Sequence, residues 1–237
     1  MKKLGVAAGV AVILVGLTVA SYPWLKAMYF SRLQASAIDA WLAQPQAAAV
    51  GDEPRIEPLP AESSAPAEPP APAEPAPTQA EAIEADLMEE DVNAAFDVQY
   101  VLQHMEGIIT IQKIGLKSPI VTGASAHNLN IAVCSVDDTG KMGQTGNYVL
   151  AGHKSRVRGR HFNRLSELAP GDEVVTENKQ YLYTYAVTEI FSVTPEDTWV
   201  MDQVSDKKQI TLITCDYRMN PIGRLIVKGE LESETEK

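Results

Sequence analysis

Cys215 closes the apolar run Gln209-Ile210-Thr211-Leu212-Ile213-Thr214 and is followed at once by Asp216, Tyr217 and Arg218. Its thiol therefore falls where a strand gives way to a polar loop. A thiol at such a rim suits nucleophilic attack on a carbonyl if substrate reaches it, a histidine sustains the thiolate, and a donor waits for the oxyanion. His153 meets the second need, because Tyr148-Val149-Leu150-Ala151-Gly152 is another run ending at its polar edge. Arg224 opens the run RLIVKGEL just beyond a short loop from Cys215. Its fixed charge and forked donors suit a developing oxyanion or a substrate carbonyl. Each residue also has a plainer reading. A strand cysteine is usually a small buried hydrophobe, His153 can bond a loop carbonyl, and Arg224 can pair with Glu230 or Asp216. Arg218 is a second arginine in the same loop, and no carboxylate or amide stands recognisably behind His153.

These residues need a scaffold of strand ends. From about residue 98 the chain consists of short runs rich in Ile, Val, Thr and Tyr, broken by Gly, Pro, Asn and Asp, the texture of a mostly-β domain. Strands are predicted near Gly107–Ile114, Ser118–Val121, Ile131–Cys134, Gly146–Ala151, Glu173–Thr176, Tyr181–Val193, Gln209–Thr214 and Arg224–Leu231. Eight strands in about 140 residues suggest a closed barrel or a sandwich. Helical pieces are few: Ala124–Leu129, and His161–Leu168, where Phe162, Leu165 and Leu168 recur before the Pro170-Gly171 stop. In Tyr181–Val193 the tyrosines read as wall packing rather than a ligand cage.

The remainder of the chain is not globular. Ten of the fifteen prolines fall between Pro45 and Pro77, a composition that cannot build a core. Residues 1–50 carry +3, 51–97 carry −12 and 98–237 carry −2, which together give the net −11. The acidity belongs to the linker, and the balance argues against nucleic acid as a partner. Residues 4–25 contain no charged side chain and are long enough to cross a bilayer, so residues 1–25 are read as an N-terminal membrane anchor. A cleaved secretory signal, with Thr18-Val19-Ala20 near its cleavage site, is the alternative. Either reading exports the C-terminal part. Residues 26–44 follow as a juxtamembrane helix marked by Leu33, Ile38, Trp41 and Leu42. Residues 45–97 form an acidic Pro-rich linker, in which 45–80 is a semi-rigid spacer of roughly 100 Å maximum reach rather than an SH3-type ligand. It ends in a short acidic helix over 81–96, a candidate cover for the site, and the catalytic domain occupies 98–237. Two cysteines, Cys134 and Cys215, exclude a disulfide-dense framework and a four-cysteine zinc site.

TLITC at Thr211–Cys215, AGH at Ala151–His153 after Gly146-Asn147, and RLIV at Arg224–Val227 occur in this order in the chain. With GIITIQKIGLKSPIV near the start of the domain, they resemble the sortases, membrane-anchored cysteine transpeptidases of Gram-positive bacteria, over roughly residues 105–232. The resemblance, to the class A and class D branches, implies an eight-stranded β-barrel with His153, Cys215 and Arg224 as catalytic trio. It also implies an LPXTG-like C-terminal sorting signal as substrate, a thioacyl-enzyme intermediate, and an amine acceptor from a peptidoglycan precursor or a protein lysine. Ile210 and Leu212 are expected to floor the site for the Leu-Pro of that signal. The basic residues Lys154, Arg156, Arg158, Arg160 and Arg164 form either a solvated loop or a contact for an anionic acceptor. Some class A members bind calcium, but Glu106, Asp137, Asp138, Glu196 and Asp197 lack regular ligand spacing, so neither metal nor other cofactor is expected. Two competing readings remain. Another cell-wall cysteine peptidase would want a Ser-His-Gly-Cys context, absent around Cys215; a non-catalytic exported module would pair Cys134 with Cys215 in a disulfide.

Overall fold

The computed structural model describes residues 21, 25, 28–44, 97–155 and 161–237. Eight strands form where the β-branched and aromatic runs stand: β1 (Met105–Ile111), β2 (Leu116–Thr122), β3 (Val133–Ser135), β4 (Gly146–Ala151), β5 (Glu173–Glu177), β6 (Tyr181–Val193), β7 (Lys208–Asp216) and β8 (Gly223–Glu236). They close into a barrel in the order β1-β2-β3-β4-β7-β8-β6-β5, which leaves no free sheet edge. The barrel is therefore the alternative realised, not the sandwich.

Side-chain alternation divides the apolar residues between two faces. One cluster draws on every strand, including Ile109, Ile120, Val133, Tyr148, Leu150, Val174, Tyr185, Ile210, Leu212, Leu225 and Val227, and is the filled interior of the barrel. The tyrosines of β6 belong to it, as wall packing predicts. The other cluster collects the opposite face, with Val121, Val149, Ala151, Ile213, Cys215 and Ile226, beneath the helical segments. Cys215 thus lies on the outer face, and Ile210 and Leu212 do not. Their offset of one residue from Ile213 and Cys215 turns them inward, which corrects their expected place in the floor of the site.

Among the described residues three helices cover the outer face. Residues 28–43 form α1, which buries Phe30, Gln34, Ala37, Ile38 and Trp41 and leaves Leu42 exposed. Ala37, Ile38 and Trp41 belong to the same outer core as Cys215. Helix α2 (Val98–His104) was not expected; Asp97 caps it, accepting from the N–H groups of Gln99 and Tyr100. Helix α3 (Ala126–Ile131) sits two residues later than predicted, because the Ser125 hydroxyl oxygen caps it by accepting from the Asn128 N–H. The segment His161–Leu168 buries Phe162, Leu165 and Leu168 as its spacing suggests, yet only Leu165–Glu167 forms a 3-10 turn. The positive φ of His161 breaks a helix there. Among the described residues no helix is long and apolar enough to cross a membrane. The predicted span is described only at Ser21 and Leu25, and the Pro-rich linker with its acidic helix over 81–96 lies outside the described residues.

Candidate active site

β4 and β7 run parallel in register, with Ala151 opposite Ile213. The Gly152 N–H extends the ladder, donating to the Ile213 carbonyl at 3.1 Å. Cys215 stands two residues past Ile213 on β7, and His153 two residues past Ala151, just beyond the end of the neighbouring strand. β8 returns antiparallel on the other side of β7 and places Arg224 directly opposite Cys215. Direct cross-strand partners share a face, with Cβ atoms about 5 Å apart. Register pairs Cys215 with Arg224 and carries the end of β4, just before His153, to the same end of the three adjacent strands.

Close packing fixes the histidine. A side chain at Gly152 would place its Cβ 2.9 Å from the Phe162 ring, so only glycine lets that ring close against the strand. The Phe162 N–H donates to the His153 carbonyl at 3.0 Å and brings the β4–β5 connection back over the strand end. The His161 ring meets the His153 ring edge to face, with centroids 5.9 Å apart.

All three residues are more enclosed than a rim position implies: His153 is 2% exposed, Cys215 0% and Arg224 5%. The sequence reading placed the thiol within reach of substrate; in the structure it is covered. Burial pushes the Cys215 thiol above its ordinary value, while Arg224, a hydrogen bond with the Tyr217 side chain and the charge of Lys154 pull it back down. Tyr217, 55% exposed at the mouth of the β7–β8 loop, is a participant that spacing alone did not single out.

The plainer partners of Arg224 are occupied. Arg218 grips Asp216 through Nε at 2.8 Å and Nη2 at 2.7 Å, and the Ser192 hydroxyl donates to the same carboxylate at 2.6 Å. These contacts, led by Arg218, hold the Asp216 carboxyl well below the usual range. Lys207 takes Glu230. The two arginines of this loop are thus separated, one clamping the turn and one buried beside the thiol. Both cysteines are buried and neither is disulfide-bonded, so the Cys134–Cys215 pair of the non-catalytic alternative is not formed.

Of the basic cluster, Arg156, Arg158 and Arg160 lie outside the described residues, and Arg164 is a staple, bonded to Glu167 and to the Ile114 carbonyl. Among the carboxylates considered for calcium, Glu106 accepts from Tyr148 and Thr122, and Asp197 from Thr194 and Trp199. Among the described residues no group of three or more His, Cys, Asp or Glu is placed to hold a metal ion.

A closed eight-stranded barrel that gathers a cysteine, a histidine and an arginine at the ends of three neighbouring strands is a scaffold for thiol-based acyl transfer. The Sortase domain family model matches residues 109–232, just over half of the chain, and the protein belongs to the sortase family of cysteine transpeptidases. It is 33% identical over 152 residues to sortase A of Bacillus anthracis, covering 64% of this chain and 70% of that relative. With sortase D of Bacillus subtilis it shares 31% identity over 127 residues, covering 52% and 62%. Among solved structures, sortase A of Listeria monocytogenes superimposes with a TM-score of 0.53 at 28% identity, covering 56% of this chain and 91% of that one. The sortase D5 transpeptidase of Clostridium perfringens gives 0.51 at 26% identity over 64% and 99%.

Proposed function

We propose that this transpeptidase cleaves an LPXTG-like C-terminal sorting signal and joins the released carboxyl end to an amine. The Cys215 thiolate attacks the carbonyl carbon of the threonine-like residue, and His153 in its protonated form gives a proton to the departing amine. The acyl group remains on Cys215 as a thioester. An amine from a peptidoglycan precursor or a protein lysine then attacks that thioester; His153, now neutral, takes its proton, and the thiolate leaves. Arg224 stabilises the oxyanion of both tetrahedral intermediates or holds the signal's carbonyl. No step is assigned to a metal or an organic cofactor, since thiolate and imidazole supply the nucleophile and the proton transfer. The N-terminal segment 4–25 anchors the protein in the cell membrane as a single pass, with the barrel on the extracytoplasmic side.

The observation that supports this reading is the register of β4, β7 and β8, in which Arg224 pairs with Cys215 and Ala151, two residues before His153, pairs with Ile213, two residues before Cys215. The test is to incubate the full chain in detergent with a fluorogenic panel of LPXTG-type peptides and an amine acceptor, beside Cys215→Ala. Cleavage that yields acceptor-linked product and vanishes in Cys215→Ala is the expected result. Cleavage that persists in Cys215→Ala overturns the reading.

A further inference from the structure

The geometry points to His161 as a positioning residue for His153, an inference that rests on the transpeptidase reading above. His161 carries a side chain at φ 49°, in the left-handed region where glycine is at home. If the chain needed only a turn here, glycine or asparagine would make it with less strain. The imidazole is not idle at the surface, for it is 1% exposed. One side of it meets the His153 ring at 89° and 5.9 Å between centroids, within the range of a T-shaped aromatic pair. The Phe30 ring of α1 also packs near it, tilted by 54° with centroids 6.5 Å apart. The next residue, Phe162, bonds the His153 carbonyl through its N–H. The strained turn therefore delivers two restraints to the same histidine, one on its backbone and one on its ring. A general acid that serves two half-reactions from one place needs such restraint, because efficiency depends on holding the imidazole in line with both the sulfur and the amine. The ring of His161 supplies a wall rather than a proton.

The experiment compares wild type, His161→Gly and His161→Phe in the full chain by steady-state kinetics with a sorting-signal peptide. A second readout is the rate at which iodoacetamide alkylates Cys215, followed by mass spectrometry of its peptide. Glycine accepts the left-handed turn, which offsets part of the packing lost with the buried ring, so His161→Gly is expected to fold and to melt somewhat below wild type. Its kcat is expected to fall about tenfold with KM changed less than about twofold, because positioning acts on the chemical step. Alkylation slows with it. His161→Phe restores the wall and recovers most of both rates. Unchanged kcat and alkylation in His161→Gly, a loss carried by KM alone, or a phenylalanine variant as slow as the glycine variant overturns the inference. His161→Asn, which tolerates the same turn, takes the place of His161→Gly if that variant does not fold. If wild type turns over no peptide, the substrate reading has failed, and the order of the three alkylation rates still decides the role of His161.

Discussion

Two arginines border Cys215, and their partners divide the work. Arg218 is spent on Asp216, whereas Arg224 lies buried on the face of the thiol. Arg224→Gln is expected to lower kcat/KM by about 10²–10³-fold, the scale of losing an oxyanion donor. Arg218→Gln is expected to cost less than about tenfold, since it loosens a turn rather than removing a donor. Comparable losses in the two variants, measured on one peptide, would reverse these assignments. The Asp216 clamp also sets a pH dependence. A carboxyl held below its unfolded value of about 3.9 contributes stability above that pH and loses it as pH falls through the folded value. The acid limb of wild-type melting should therefore be steeper than that of Asp216→Asn. Tyr217 acts in the opposite sense to burial, pulling the Cys215 thiol down. Tyr217→Phe should move the rise of thiolate absorbance to higher pH, and an unmoved titration would remove the tyrosine from the site. The three candidate positions were legible in the sequence because each stands at the end of an apolar run. Tyr217, the Asp216–Arg218 clamp and the closure over the thiol were not, since they depend on how residues 217–222 turn back between β7 and β8.

At the scale of elements, Asn147 ties the β6–β7 connection to the start of β4. Fully buried on β4, it donates through Nδ2 to the carbonyls of Val200 and Asp202 at 3.1 and 3.2 Å and accepts from the Thr211 hydroxyl at 2.7 Å. Gln203 bonds its backbone from both sides, accepting from the Asn147 N–H at 3.0 Å and donating to the Asn147 carbonyl at 3.1 Å. Asn147→Ala strands these buried partners and should destabilise the fold by about 1–3 kcal/mol. A melting temperature equal to that of wild type would show that these bonds do not hold the connection. β4 and β6 match their sequence boundaries at both ends because each is a clean apolar run between turn residues. β8 was read as ending at Leu231 but continues to Glu236, since pairing as far as Tyr181–Glu236 satisfies backbone groups whatever the side chains. Helix α2 was missed because VQYVLQH is β-branched and aromatic enough to look like a strand, although Asp97 offered the cap that distinguishes it.

For the molecule as a whole, the position of α1 changes what the Pro-rich segment does. From its composition the segment reads as a spacer carrying the catalytic domain away from the N-terminal helices. Yet residues 28–43, which precede it, share a core with the barrel, and Lys179 of the β5–β6 turn caps Trp41 at 4.1 Å from the ring centre. The described residues on both sides of 45–96 therefore belong to one body, so the two ends of the Pro-rich segment are held at a fixed separation. Such a loop is tolerant of length, each doubling costing only about 0.6 kcal/mol. Burying Phe30, Ile38 and Trp41 contributes on the order of 5 kcal/mol as an upper estimate, so packing outweighs any ordinary change in the linker. Trp41→Ala is accordingly expected to lower stability by about 3 kcal/mol. Doubling residues 51–77 should alter the melting temperature little. It should also leave unchanged the distance between spin labels at Leu42 and Lys117, measured with both native cysteines replaced by serine. A stalk predicts the opposite, a distance that lengthens with the linker, and that result would detach α1 from the barrel. If the distance holds, an anchor at 4–25 would keep the catalytic end within one short helix of the bilayer, whatever the reach of the segment that follows.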